Sequence, residues 1–424
     1  MTVTGVPRRA PERLLPAVPT PESFATHQAR FGARPRPGVS LVEELDRSGL
    51  TGRGGAAFPA AVKWRAVAER SASGRPAVVV ADGVETEPAS MKDRTLLALR
   101  PHLVFDGVQT AAEAVGATRA ILYVQRAADA LTRWLVTARS ERPPGEVPVE
   151  IRLAPSRYVA GEETAVVNRL NGATARPNAV PPRPYEHGVD GRPTLLANVE
   201  TLAHAALIAR YGAEWFRQAG TGDSPGTALV TVGGAVRTPG VREVAFDETV
   251  AEVVAGAGGT TAEPAAVLLG GYFGRWVAAK DVWNLPLAHA SLRAVHASLG
   301  AGVIAVLPRS LCGVAETSRI IAFLARESAG QCGPCMHGLP AMSELLHSVA
   351  IGRGGRRSVE TLTRWANEIR GRGACRHPDG ATLLLASALE VFADDVRRHV
   401  QHGACRASLQ APLLPTPVAA GGWR

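Results

Sequence analysis

Lysine is nearly missing from this sequence: only Lys63, Lys92 and Lys280 stand among 47 basic residues. Arginine and lysine interchange on a solvated surface but differ where a compact ammonium is needed in place of a planar fork. Two of the three lysines fall inside the motifs described below. Cysteine is also scarce. Five in 424 residues make no disulfide framework, and the odd count leaves thiols for metal, which points to the cytoplasm. Aromatics are 5% of the chain and do not interleave with basic residues as a nucleic-acid stacking platform requires. The net charge of +9 comes from scattered arginines, so an acidic protein partner is expected and nucleic acid is not. No apolar run approaches the roughly 20 residues of a membrane helix; the longest, Ala301–Leu307, is strand-sized. The amino-terminal arginine pair is followed by prolines, not by an apolar stretch, so no export signal and no direct membrane insertion are read.

What the chain does contain is pattern. Residues 1–38 are rich in proline and arginine without periodicity and read as a mobile arm. From 39 to 222, strand-like runs (Ala77–Ala81, Ala120–Val124, Glu150–Leu153) alternate with helical patterns (Ala60–Arg70, Thr95–Ala117, Ala127–Ala138). This is the signature of an α/β domain with a largely parallel sheet. After the break at Gly220–Gly226, residues 223–308 give strand, hairpin, short helix and strand, a β-grasp order. Residues 309–406 carry four helical patterns (Ala315–Arg326, Leu339–Ala350, Val359–Gly371, Ala381–His402), which suggest a bundle. Residues 407–424 read as a disordered tail.

Five segments carry chemistry. Gly52-Arg53-Gly54-Gly55-Ala56-Ala57-Phe58-Pro59 feeds a helix bearing Lys63; such a loop lets amides approach a phosphate, or simply turns the chain into the helix. Asp82, Glu85 and Glu87 follow the first strand, where ligands of α/β sheets lie; the alternative is a solvated acidic loop pairing with Lys92 and Arg94. Gly161-Glu162-Glu163-Thr164 suits a ligand or a helix start. Asn198-Val199-Glu200-Thr201 places Asn198 as a ligand-facing group or an N-cap. Cys332-Gly333-Pro334-Cys335, with Cys375 forty residues on, suits an iron–sulfur cluster or, with His377, a Cys3His zinc site. Cys312 reads as a buried small hydrophobe, and Cys405 as a bystander or a replacement ligand.

In this order, the segments GRGGAAFPAAVKW, ETEPASMKDR, GEETAV, PTLLANVET and ESAGQCGPCMHG resemble the flavoprotein subunit of respiratory complex I. That family includes the diaphorase subunits of NAD-linked hydrogenases and formate dehydrogenases. The resemblance implies an α/β flavin-binding domain, a β-grasp (SLBB-like) domain and a helical bundle with a [4Fe–4S] cluster. Hydride would pass from NADH to FMN, and single electrons to the cluster and on to a ferredoxin-like protein or other subunits. It also implies that Arg53, Gly54, Gly55, Ala56 and Lys63 hold the phosphate side of FMN, and that Asp82, Glu85 and Glu87 line the ribityl chain and ring. Gly161, Glu162, Glu163 and Asn198 would complete the pocket, with Glu85 and Glu163 as orienters and Phe58 stacking on NADH. Cys332, Cys335 and Cys375 would ligate the cluster.

Several departures stand against that pattern. Ala329 replaces the first cluster cysteine. Ala66 and Arg183 stand where the family has Phe, Val180 where it has Lys, and Ala197, Asp82 and Val84 where it has Asn, Asn and Asp. Two lost stacking faces at roughly 1 kcal/mol each weaken nicotinamide binding. The competing functions are therefore a flavin–cluster relay without NADH, and a non-enzymatic scaffold with structural zinc.

Overall fold

A computed structural model describes residues 13–126, 129–418 and 421–423. The chain divides into two compact units, one formed by Arg13–Glu87 and Met91–Gln218, the other by Pro88–Ser90 and Ala219–Val418.

The first unit is built on four strands: β1 (Ala77–Gly83), β2 (Ala117–Gln125), β3 (Val149–Ala154) and β4 (Thr194–Asn198). Their order is β3-β2-β1-β4, and every pairing is parallel. Successive strands step away from β1 to β3, then β4 returns to the other side of β1. The order therefore reverses between β1 and β4, and in open α/β sheets the crevice beyond such a reversal is where ligands bind. Residues 77–81 are wholly buried, as a central parallel strand covered on both faces demands. Each of Val78, Val79 and Val80 contributes about 1.5–3 kcal/mol on burial.

One apolar-periodic stretch differs from its sequence reading. Thr95–Ala117 is not one helix but the end of Lys92–Leu99 followed by Pro101–Val115, because Pro101 starts a new helix instead of continuing the old one. The second of these is buried along nearly its whole length and lies against the helix Val199–Arg217. A Cβ on Gly107 would fall 2.2 Å from the Leu202 carbonyl oxygen, so only glycine permits that approach. The pattern starting at Ala127 appears as a helix over Asp129–Ser140; residues 127 and 128 lie outside the described set.

The amino-terminal region also differs. Residues 1–12 lie outside the description, but Phe24–Phe31 is a helix with Ser23 as its N-cap. Its His27 is buried between Asp106 and Glu22, so this part of the expected arm is packed structure.

The second unit holds a five-stranded sheet: β5 (Thr227–Gly234), β6 (Gly240–Ala245), β7 (Pro264–Leu269), β8 (Arg275–Ala278) and β9 (Val303–Pro308). The order is β6-β5-β9-β7-β8, parallel only between β5 and β9. Thr249 and Glu252 close a reciprocal capping box on the helix Val250–Gly256. The helices Gly313–Arg326, Leu339–Ala350, Ser358–Ile369, His377–Val391 and Ala393–His402 follow. The last two replace the single helix expected over Ala381–His402, the break falling at Phe392. Part of the tail is ordered as well. Leu414 is buried, its amide donates to Glu316 at 2.7 Å, and Trp423, in the first unit, lies under Arg157 and Arg176.

Candidate functional site

At the β1–β4 reversal, Asp82 and Asn198 are register partners. The Asn198 side chain caps the helix Val199–Arg217 by accepting from the Glu200 amide at 3.0 Å. Its Nδ2 donates to Asp93 at 2.8 Å and to the Asp82 carbonyl at 3.3 Å. The N-cap role and the place at the reversal therefore belong to the same residue. Burial above all, helped by Asp93, pushes the Asp82 carboxyl up to about 7, against the opposing pull of the Val84 amide, Lys92 and Lys63.

Behind this edge runs a buried ionic network. Lys92 Nζ sits 2.7 Å from Asp93 Oδ1 and 2.9 Å from Glu200 Oε2. Burial opposes its charge, but the two carboxylates outweigh burial and raise its pKa. Glu200 itself is pushed up by burial, with Lys92 and Arg53 countering.

The buried Arg53 guanidinium turns inward, donating to the Thr51 carbonyl at 2.7 Å and facing Glu200 at 3.8 Å. The Arg53 amide donates to Thr201 Oγ1 at 2.9 Å. The glycine loop is thereby anchored to the helix that begins at Val199. Gly54 stands over Asn198, where an added Cβ would meet the Asn198 Cβ at 3.5 Å. Gly55 has φ 114, a conformation that favours glycine. The following helix, Ala60–Ser73, has Pro59 in front of it and no side-chain cap on its first turn. Lys63, near its start, donates to the Leu196 carbonyl at 2.9 Å and faces Glu163 at 3.7 Å. Burial lowers the Lys63 pKa, with Glu163 and Asp82 opposing.

The acidic residues divide by task. Glu85 is buried and accepts from the Asp93 and Arg94 amides, both at 3.2 Å. Glu87, also buried, accepts from the Tyr158 hydroxyl at 2.7 Å. The solvated acidic loop is thus not what forms, although Arg94 does face Glu85 at 3.5 Å. Glu162 caps the helix Glu163–Leu170 through the Thr164 and Ala165 amides, and burial raises its pKa. Gly161 lies against the Val84 carbonyl. Glu163 is partly exposed and shared between Lys63 and Arg183, the latter at 3.2 Å. Phe58 is 53% exposed. Asp93, Glu200, Thr201 and Tyr158 are structural partners that no spacing rule points to, although Asp93, Glu200 and Thr201 lie inside the motif segments.

In the second unit, Pro334–Gly338 forms a π-helical turn, a local widening that recurs at functional sites. Burial, reinforced by the neighbouring Cys332 and Cys375 thiols, pushes the Cys335 thiol up to about 12. Ala329 is buried and offers no ligand. His377 does not complete a Cys3His set: among the described residues its ring nitrogens and the sulfurs of Cys332, Cys335 and Cys375 do not gather within 4.8 Å of one another, and its ring meets Phe273 edge-on. Cys405 is not a replacement ligand here, because its sulfur lies with Cys312 and His399.

Comparison with known proteins gives the class. Residues 45–206 match the family described as the Nuo51 FMN-binding domain, and residues 315–399 match the NADH-ubiquinone oxidoreductase-F iron–sulfur binding region. The chain is 32% identical to the F 2 subunit of NADH-quinone oxidoreductase of Rhizobium meliloti over 86% of its own length and 90% of the relative's. It is 30% identical to the HndC subunit of the NADP-reducing hydrogenase of Solidesulfovibrio fructosivorans, over 89% and 79%. Among solved structures, an NAD+-reducing [NiFe]-hydrogenase in the H2-reduced state superposes with TM-score 0.78 at 31% identity. That match covers 86% of this chain but 63% of the hydrogenase chain, less than two thirds of it. The chain belongs to the family of the F subunit of NADH-quinone oxidoreductase. Among the described residues no helix is long and apolar enough to cross a membrane.

Proposed function

We propose that this chain is the nicotinamide-oxidising flavoprotein subunit of a larger redox assembly at the cytoplasmic side. FMN would occupy the first unit and an iron–sulfur cluster the second, with NADH as electron donor. The observation that carries the flavin reading is the meeting of Asp82, Asn198, the Gly54–Gly55 loop and Lys63 at the sheet reversal. The start of the helix Ala60–Ser73, which has no side-chain cap, suits the phosphate. Asp82, Glu163 and Lys63 offer groups of both signs to the ribityl chain and ring, and Lys63 favours a reduced, anionic ring. Arg53, Glu85, Glu87, Glu162 and Asn198 already bind protein groups, and their part is to hold the pocket's shape around Ala56, Gly161 and the loop. Phe58 offers an exposed face to a nicotinamide ring. When bound, FMN supplies the change from hydride to single-electron transfer.

Cys332, Cys335 and Cys375 suit a cluster better than one zinc ion. Among the described residues, the trio of ligand atoms drawn within 4.8 Å of one another is Cys312, His399 and Cys405, not these three. A cubane places its thiolates farther apart than a single ion does. With Ala329 in the fourth position, one iron would carry a non-cysteine ligand. Residues 223–308 would be the β-grasp (SLBB-like) domain and 309–406 the cluster-bearing bundle. The partner would be an acidic ferredoxin-like protein or another subunit, matched to the chain's net charge of +9.

A second reading rests on Arg183, whose guanidinium is committed to Glu163 at a position the family fills with an aromatic. There the chain would relay electrons through FMN and the cluster without nicotinamide. Visible spectra of anaerobically purified protein, before and after NADH, separate the readings. Flavin and iron–sulfur absorption that bleach promptly support the oxidoreductase. Bleaching by dithionite alone supports the relay, and a colourless protein overturns both.

A further inference from the structure

We propose that Cys312, His399 and Cys405 form a mononuclear zinc site, separate from the Cys332–Cys335–Cys375 group and independent of the flavin reading. Two sulfurs and one imidazole nitrogen lie within 4.8 Å of one another, although the residues are spread over ninety-odd positions of sequence. Zn–S of about 2.3 Å and Zn–N of about 2.0 Å in a tetrahedron place sulfur and nitrogen about 3.5 Å apart and two sulfurs about 3.8 Å apart. Cys312 Sγ and His399 Nε2 already stand at 3.5 Å.

The surroundings are those of a metal site. His399 Nδ1 is 3.2 Å from the Val349 carbonyl, so Nδ1 carries the proton and the Nε2 lone pair faces the sulfurs. This is the second contact that orients a metal-binding histidine. That lone pair receives the Cys405 amide at 3.5 Å and stands 3.5 Å from Cys312 Sγ. Cys312 is the N-cap of Gly313–Arg326, its sulfur accepting from the Ala315 amide at 3.4 Å; an anionic sulfur there meets the positive end of the helix.

The chain is also shaped to bring Cys405 in. Gly403, at φ 89, reverses the backbone after His402, and the returning segment presses on Gly352, where a Cβ would fall 2.2 Å from the Ala404 nitrogen. Thiolate and imidazole together select zinc over the hard divalent cations. Water takes the fourth position. The ion would clasp the start of one helix, the end of another and the segment beyond it.

The test uses the full chain, purified anaerobically with its cofactors, and measures zinc and iron together by mass spectrometry. The expected result is stoichiometric zinc, lost in Cys405→Ser and Cys312→Ser with iron unchanged. Should Cys312→Ser fail to fold, the half-buried Cys405→Ser decides alone. In a Cys332→Ser/Cys335→Ser/Cys375→Ser variant, added Co2+ should still give tetrahedral d–d bands and a thiolate-to-cobalt band. The proposal is overturned if wild-type protein incubated with zinc and desalted retains none, if zinc survives both serine variants, or if intact mass shows a Cys312–Cys405 disulfide.

Discussion

Replacing Lys92 with Met tests how the first unit is held together. The ammonium is 4% exposed and lies 2.7 Å and 2.9 Å from Asp93 and Glu200, both buried as well. Methionine keeps the volume and removes the charge, which leaves two buried carboxylates with Arg53, at 3.8 Å from Glu200, as the nearest counter-charge the network retains. Breaking a buried pair from one side costs about 3–5 kcal/mol. At about 2–4 °C per kcal/mol for a unit of this size, the melting temperature should fall by about 6–20 °C. The pH dependence supplies a second check. Lys92 has its folded pKa raised above the unfolded value of about 10.4. Its contribution is therefore complete below that value and lost only as pH rises through the folded one, so it is flat across the neutral range. In the variant the orphaned carboxyls take up protons more readily in the folded state, and the deficit should shrink from about pH 8 toward about pH 5. Thermal melts with and without added FMN, so that ligand linkage is held apart, measure both effects. Adding Glu200→Gln to Lys92→Met should recover part of the loss. A deficit below about 1 kcal/mol, or one that widens in acid, would refute the assignment of Lys92 as a buried counter-ion.

Two further outcomes follow from other parts of the chain. Burial opposes protonation of His27, but Asp106 at 2.9 Å and Glu22 at 3.4 Å raise its pKa. Its stabilisation is therefore complete below about 6.5 and lost as pH rises through the raised folded value. His27→Gln should flatten the alkaline side of the stability profile measured by urea unfolding, and an unchanged slope would count against the pairing. Ala329→Cys adds a thiol at a buried position three residues before Cys332, so if Cys332, Cys335 and Cys375 hold the proposed cluster, its bleaching in air should slow several-fold; an unaltered rate would place Ala329 away from the open iron.

Local signals read well in this sequence, and long-range ones did not. The apolar runs of β1, β2 and β3 and the alternation with helices point to the parallel sheet, because a strand buried on both faces is written as a run. Pro101 is in plain view, yet the periodicity on either side of it masks the break. The helix Phe24–Phe31 leaves little local signal because an eight-residue helix owes its order to tertiary contacts, and His27 finds Asp106 seventy-nine positions away. At the site, the N-cap alternative for Asn198 and the helix-start alternative for Glu162 are what the backbone uses, each side chain capping the helix that follows it. The pairing of Lys92 with Glu200, 108 positions apart, has no local trace, and neither does the gathering of Cys312, His399 and Cys405.

That division explains why several motif residues do not face the pocket. Glu85 holds the amides that open the helix Lys92–Leu99; that helix supplies Lys92 and Asp93, which hold Asn198 and Glu200. Glu200 in turn faces Arg53, and Thr201 holds the Arg53 amide. The acidic loop and the glycine loop are thus joined through buried charges. A binding site on a sheet edge needs its walls fixed before the ligand arrives, since any ordering left to binding is subtracted from affinity. The same reasoning makes sense of the scarcity of lysine: of the three that the sequence retains, one closes this network and another stands at the mouth it shapes.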